Sequence, residues 1–202
     1  GHLDYKVPSG ENFAACDIRE IPRLCRELFE LKTTAAWACL FAIYTASRSK
    51  AVRCMRWGDI NFEKRTCRIP ANNDKKKEHL RNRTIYLSDA AVDLLRRQQL
   101  NSCSEYVFAN RAGEVLTDAA LLKVLRTLHN RRFEEDGVGW VDPQKIDLDC
   151  KDVRITLHGT ARASFRTWCE EKEFGGKFCF NVKAIELNLL HQPRDMYRGA
   201  YS

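Results

Sequence analysis

The order of apolar and polar positions divides the chain into helical and extended stretches. Ile18, Ile21, Leu24, Leu28 and Leu31 recur at helical spacing, with Pro22 tolerated in a first turn, so an amphipathic helix is predicted there. Residues 34–45 are almost wholly apolar, which predicts a second helix buried on most sides. The period then shortens. Residues 59–63, 67–70 and 83–87 read as short strands, the last two flanking a polar tip at 72–82. Ser88 is suited to cap a helix through Val92, Leu95 and Leu100. Residues 106–109 read as a short extended piece before the turn Asn110-Arg111-Ala112-Gly113, and Thr117 caps an amphipathic helix through Leu121, Leu125 and Leu128. The polar stretch 134–151, with Gly137, Gly139 and Pro143, reads as a long loop. Thr160 is predicted to cap a helix reaching residue 173 and burying Phe165 and Trp168. Asn181 is predicted to cap a last helix, with Ile185 and Leu189 inward and its end near His191. The fold class that follows is α+β and mainly helical, a helical bundle with a small antiparallel sheet in its first third.

At 202 residues and 44% hydrophobic content, the chain is long enough for one sizeable core. Residues 1–15 read as a lead-in, with Gly1-His2 taken as a cloning remnant, and residues 16–202 as one domain. A net charge of +7 is compatible with a polyanionic partner, though many proteins without one are as basic. The longest apolar stretch, 35–44, is too short to span a bilayer, and no secretory leader opens the sequence, so a cytoplasmic protein is expected. The nine cysteines never form Cys-x-x-Cys, and several stand among apolar residues. Buried free thiols are the reading, and no metal or cofactor is expected.

Candidate chemistry lies at separate places along the chain. Arg48 stands in TASRSKAV, Lys75, Lys76 and Lys77 at the polar tip, His158 and Arg162 in LHGTAR, and His191 and Tyr201 in LLHQPRDMYRGAYS. Displacement at a phosphodiester needs an in-line nucleophile, neutralisation of charge on two non-bridging oxygens, and a proton for the departing oxygen. A tyrosine supplies the first. Arginine suits the second, because its planar fork donates two hydrogen bonds and keeps its charge. Histidine and lysine serve the proton transfers.

In this order these residues resemble the catalytic domain of tyrosine recombinases, the phage-integrase family, and most closely the integrases of satellite phages and genomic islands. The landmarks are TASRSKAVRCMRWGDINFE, RIPANNDKKKEHLRNRTIYLS, ITLHGTARASFRTW and LLHQPRDMYRGAY. The resemblance implies a recombinase acting on double-stranded DNA, integrating or excising a mobile element such as a prophage through a 3′-phosphotyrosyl intermediate. It implies Arg48 and Arg162 as the phosphate clamp, His158 on the nucleophile's proton, His191 beside the phosphate, and Tyr201 as nucleophile. A hairpin lysine protonates the leaving oxygen in that family; counting back from Leu87-Ser88 favours Lys77, and counting forward from 69–71 favours Lys75. Family members assemble as tetramers on DNA, while an isolated domain of this kind is expected to be monomeric, and their amino-terminal DNA-binding domains are not in this sequence. Three departures stand out. The His158–Arg162 interval is one residue longer than the family's His-x-x-Arg, to be absorbed by a bulge or a shifted helix start at Thr160. Ala51 replaces the acidic residue common three places after the first arginine, and the sequence ends one residue after Tyr201. Three other readings stay open: a DNA-binding module that has lost catalysis, a type IB topoisomerase, and a metal protein built on reduced thiols.

Overall fold

Helix α2 (Thr34–Thr45) is the centre around which the other elements are laid. Its seven consecutive residues from Ala36 to Ala42 are all buried, so it needs partners on every side. It finds them in α1 (Ile21–Glu30), α3 (Ser49–Arg53), α4 (Asp89–Gln99), α5 (Asp118–Asp136) and the turn at Gly159–Ala163. The computed structural model of the chain describes residues 13–70, 82–148, 152–171, 173–174, 177–178, 185 and 189. Among these no helix is long and apolar enough to cross a membrane.

Each boundary has a local cause. Thr33 accepts the Ala36 N–H at 3.2 Å to start α2, Ser88 accepts from Ala91 to start α4, and Thr117 accepts from Ala120 to start α5. Pro22 sits in the first turn of α1, whose Leu24 and Leu28 are fully buried, a contribution of roughly 1.5–3 kcal/mol each. Strands β1 (Ile60–Asn61), β2 (Thr66–Ile69) and β3 (Arg83–Tyr86) form an antiparallel sheet in sequence order, with Cys67 opposite both Ile60 and Ile85. Cys67, Ile69 and Ile85 face the core while Arg68, Thr84 and Tyr86 face out, the alternation a half-buried sheet requires. Asp59, buried just before β1, accepts from Arg68 Nε at 3.0 Å and Nη2 at 2.7 Å.

Several elements differ from expectation. Leu100 is not an inward residue of α4 but its C-cap, 85% exposed. The expected loop over 134–151 is partly helical. Helix α5 continues to Asp136 and stops at Gly137, whose φ of 72° is left-handed. Helix α6 (Pro143–Asp147) then forms because the Asp142 carboxylate accepts the Gln144 N–H and Pro143 holds a first-turn position. Helix α7 (Ser164–Glu171) ends short of residue 173, because Glu173–Phe174 (β4) pairs antiparallel with Lys177–Phe178 (β5). Trp168 on α7 remains 42% exposed where burial was expected. Ile185 and Leu189 are buried as expected, against Ala46 and Cys169 in a cluster separate from the main core. The described cysteines are all free, and burial pushes the thiols of Cys16, Cys39 and Cys67 up to about 12.

Candidate active site

The turn leaving α2 fixes the first arginine. Ala46 closes α2 in the left-handed region, φ 49° and ψ 32°, and reverses the chain. The Thr45 hydroxyl donates to the Phe41 carbonyl at 2.7 Å and shares a 2.8 Å bond with the buried Ser47 hydroxyl, so the turn is cross-braced from within. Arg48 follows as the half-buried N-cap of α3, with extended backbone (φ −71°, ψ 146°). Ala51, where the family's acid stands, is buried in the main core.

The second cluster sits on a helix that begins at Leu157, not at Thr160. The cap is Thr156, whose hydroxyl accepts the Gly159 N–H at 3.0 Å. Thr160 lies one turn further on, and its hydroxyl accepts the Cys16 N–H at 3.3 Å. Gly159–Ala163 is a π turn, after which α7 resumes the α geometry. A π turn takes one residue more than an α turn. The extra residue between His158 and Arg162 is therefore absorbed in the helix itself. The four-residue interval here turns through nearly what three residues cover in a plain α-helix, so both side chains remain on adjoining faces.

Arg162 is 6% exposed, and its guanidinium joins two distant parts of the chain. Nη1 donates to the Ala46 carbonyl at 3.1 Å, in the turn that leads to Arg48, and Nη2 donates to the Leu189 carbonyl at 2.7 Å. Leu189 in turn donates its N–H to Ile185 O at 2.9 Å, a helical bond two residues before His191 in sequence. Arg166, one turn further along the helix, is exposed and donates to Glu170 at 2.8 Å, so Arg162 is the inner of the two. His158 is exposed, with the Phe13 ring 4.5 Å away, centroid to centroid, tilted by 54°. His158, Arg162, Arg166 and Leu189 line a cleft of about 870 Å³ together with Phe13, Cys16 and Arg19. Of the described residues, Arg48 does not line that cleft; it is linked to it through Ala46.

The geometry thus draws the Arg48 turn, the His158–Arg162 helix and the Leu189 segment together. Lys77 and its alternatives Lys75 and Lys76, His191 and Tyr201 lie outside the described residues. A buried guanidinium beside a cleft acts on an anion more strongly than one in water, because the low local dielectric weakens screening. Cys16 is no rival nucleophile there, since burial, with Glu20 and Asp17 nearby, holds its thiol protonated. Sequence reasoning missed the segment packed against the His158 helix. Ala14, Ala15 and Cys16 are tied to Asp142, Thr156, Thr160 and Ser164. The signal present in the sequence was the small polar series Thr156, Thr160, Ser164, four residues apart, which marks one stripe of a helix.

The profile of the phage integrase family matches residues 15–142, a span that takes in Arg48 and stops before His158. Two putative integrase/recombinases of Haemophilus influenzae are similar in sequence. One is 39% identical over 104 residues, 50% of this chain; the other is 36% identical over 66 residues, 33% of this chain. The chain spans only 26% and 20% of the length of these two relatives. Among solved structures, the Tn1549 transposon integrase in complex with transposon right-end DNA superposes with a TM-score of 0.69 at 14% identity, over 99% of this chain and 64% of that one. A lambda integrase dimer bound to a COC′ core site gives 0.59 at 15% identity, over 96% and 61% of the two chains. At such identities the likeness establishes the shared fold.

Proposed function

Because the chain belongs to the phage integrase family, we propose that it is the catalytic domain of a site-specific recombinase that breaks and rejoins double-stranded DNA through a tyrosine. The observation that carries this reading is the position of Arg162. One buried guanidinium is hydrogen-bonded to the turn before Arg48 and to the segment before His191, so residues 116 and 27 positions apart in sequence share one site. The proteins it resembles include integrases bound to DNA.

In the proposed reaction the phenolic oxygen of Tyr201 attacks the scissile phosphorus in line. Its proton passes to His158. The bond from phosphorus to the 5′-oxygen breaks, and Lys77 gives that oxygen a proton, leaving a 3′-phosphotyrosyl link and a free 5′-hydroxyl. A 5′-hydroxyl from another strand then reverses each step. Arg48 and Arg162 hold the non-bridging oxygens throughout, each charge-assisted bond worth roughly 1.5–3 kcal/mol. The phosphodiester energy is kept in the protein link, so this balance calls for no nucleotide hydrolysis. Synapsis of two DNA sites by four copies of the full-length protein follows from the same reading.

The test is a nicked suicide DNA duplex, from which the cleaved fragment diffuses and traps the intermediate. On a denaturing gel the chain forms a slow-migrating covalent adduct, and Tyr201→Phe forms none. An adduct with Tyr201→Phe moves the nucleophile elsewhere, with Tyr197 the first to examine. Tight DNA binding without adduct from the full-length protein supports the binding-module reading instead. Relaxation of supercoiled DNA with no exchange between strands identifies a topoisomerase.

A further inference from the structure

Residues 13–16 lie across the helix that carries His158 and Arg162, and their backbone is held at four points. The Ala14 carbonyl accepts from the Thr156 N–H at 2.9 Å and the Thr156 hydroxyl at 3.0 Å. Ala15 N–H donates to the Asp142 carboxylate at 2.8 Å. Cys16 donates its N–H to the Thr160 hydroxyl at 3.3 Å, and its carbonyl accepts from Ser164 at 2.7 Å. Thr156, Thr160 and Ser164 thus form a ladder of hydroxyls on one face of the helix. The backbone approach is close enough to dictate a glycine. A Cβ on Gly159 would stand 2.2 Å from the Ala14 carbonyl oxygen and 2.6 Å from that of Phe13, and backbone atoms at that range cannot step aside.

Beside this attachment stands Phe13, whose ring meets the His158 imidazole at 4.5 Å. Burial does not account for the placement, since Phe13 is 58% exposed. A tilted aromatic neighbour restricts the rotamers open to the ring it meets. Phe13 and Cys16 also line the same cleft as His158 and Arg162.

We infer that residues 13–16 form a positioning strap for the reacting groups, with Phe13 as a positioning residue that holds the His158 imidazole at the cleft. This rests on the proton-transfer role proposed for His158. Two properties distinguish the strap from a merely structural segment. It acts on one imidazole, and its effect disappears when that imidazole is absent.

The test uses the whole chain labelled with ¹³C,¹⁵N-histidine. The His158 ring resonance is assigned by its loss in His158→Gln. In Phe13→Ala and in Phe13→Leu, which keeps the bulk but not the ring, that resonance moves as the ring-current shift vanishes, and the other histidine signals stay in place. On the nicked DNA substrate, Phe13→Ala slows adduct formation about three- to tenfold, the factor that one aromatic contact carries. Phe13→Tyr restores the rate. In a His158→Gln background the same Phe13→Ala change alters the rate by less than about twofold. Equal slowing in both backgrounds, or an unmoved His158 resonance, overturns the strap. If His158→Gln leaves the rate unchanged, the proton-transfer reading of His158 fails together with any catalytic consequence of Phe13. The resonance still decides separately whether the strap orients the ring.

Discussion

In the proposed reaction Arg162 is both a structural tie and a phosphate ligand, and the guanidinium is the side chain that permits this. It has five N–H donors in a rigid plane. Two directions are taken by the Ala46 and Leu189 carbonyls, and the same side chain lines the cleft. Lysine brings an equal charge as a single point and cannot span two carbonyls in fixed geometry. Arg162→Lys is therefore expected to lower unfolding stability by about 2–4 kcal/mol, because at least one buried carbonyl loses a charged donor. Urea denaturation measures that cost, and the suicide substrate measures the accompanying loss of adduct. A lysine variant of unaltered stability would refute the tie. Ala46 shows the same double use on a smaller scale. Its left-handed backbone costs an L-residue about 1 kcal/mol, yet its methyl is buried against Cys169, Ile185 and Leu189, a gain of similar size. The two effects offset each other, so glycine, the usual choice at such a helix end, brings no clear advantage here.

At the scale of elements, legibility followed the distance over which each is determined. Helix α2 was readable to its ends, because an unbroken apolar run flanked by Thr33 needs no information from elsewhere. The antiparallel sheet was readable from alternation. Helix α6 was not, since five residues carry no periodicity and only Asp142-Pro143 marks the start. The hairpin of β4 and β5 was missed although Gly175-Gly176, a common two-residue turn pair, stands between them in sequence. Thr160 misled because its hydroxyl serves Cys16, 144 positions away, while Thr156 takes the cap. The order of Arg48, His158 and Arg162 could be read along the chain; the strap against the His158 helix could not, being built wholly from such long-range bonds. The end of α5 is a local device that lends itself to test. Asp136 sits at a helix C-terminus, where the dipole disfavours an acid. It is kept ionised by the Gly139 N–H, then the Arg132 guanidinium, then the Val138 N–H, which hold its carboxyl far below the usual range. Gly139 itself is required, for its φ is 78° and a Cβ would lie 2.6 Å from His129. A lowered folded-state value contributes stability above the unfolded value near 3.9, and that contribution is lost as pH falls through the folded value. Asp136→Asn should thus lower the urea midpoint at pH 7, with the gap to the parent narrowing progressively below about pH 4. A gap that does not depend on pH would assign the effect to shape and not to charge.

For the molecule as a whole, the excess of 34 basic over 27 acidic residues becomes informative only through where its charges act. Release of counterions from duplex DNA makes log K fall with log salt at about 0.9 for each phosphate neutralised. A footprint of roughly six phosphates would give the chain a slope near −5. Lys75, Lys76 and Lys77 are adjacent, and composition cannot separate a phosphate contact from a proton donor. Their effects on two measurements do separate them. A lysine that only neutralises phosphate, replaced by alanine, makes the slope shallower by about 1 and weakens all duplexes alike. Cleavage once bound is then nearly unchanged. A lysine that protonates the leaving oxygen behaves otherwise. Its alanine variant binds almost normally but forms adduct slowly, typically by 10²–10⁴-fold for loss of a general acid. Substituting sulfur for the 5′-bridging oxygen restores the rate, because a thiolate leaves without a proton. Lys77→Ala is expected to show this second behaviour, and Lys75→Ala and Lys76→Ala the first. Sulfur rescue of Lys75→Ala in place of Lys77→Ala would move the acid two residues earlier. Absence of rescue in all three would take proton donation away from these lysines, leaving their charge only the task of holding DNA.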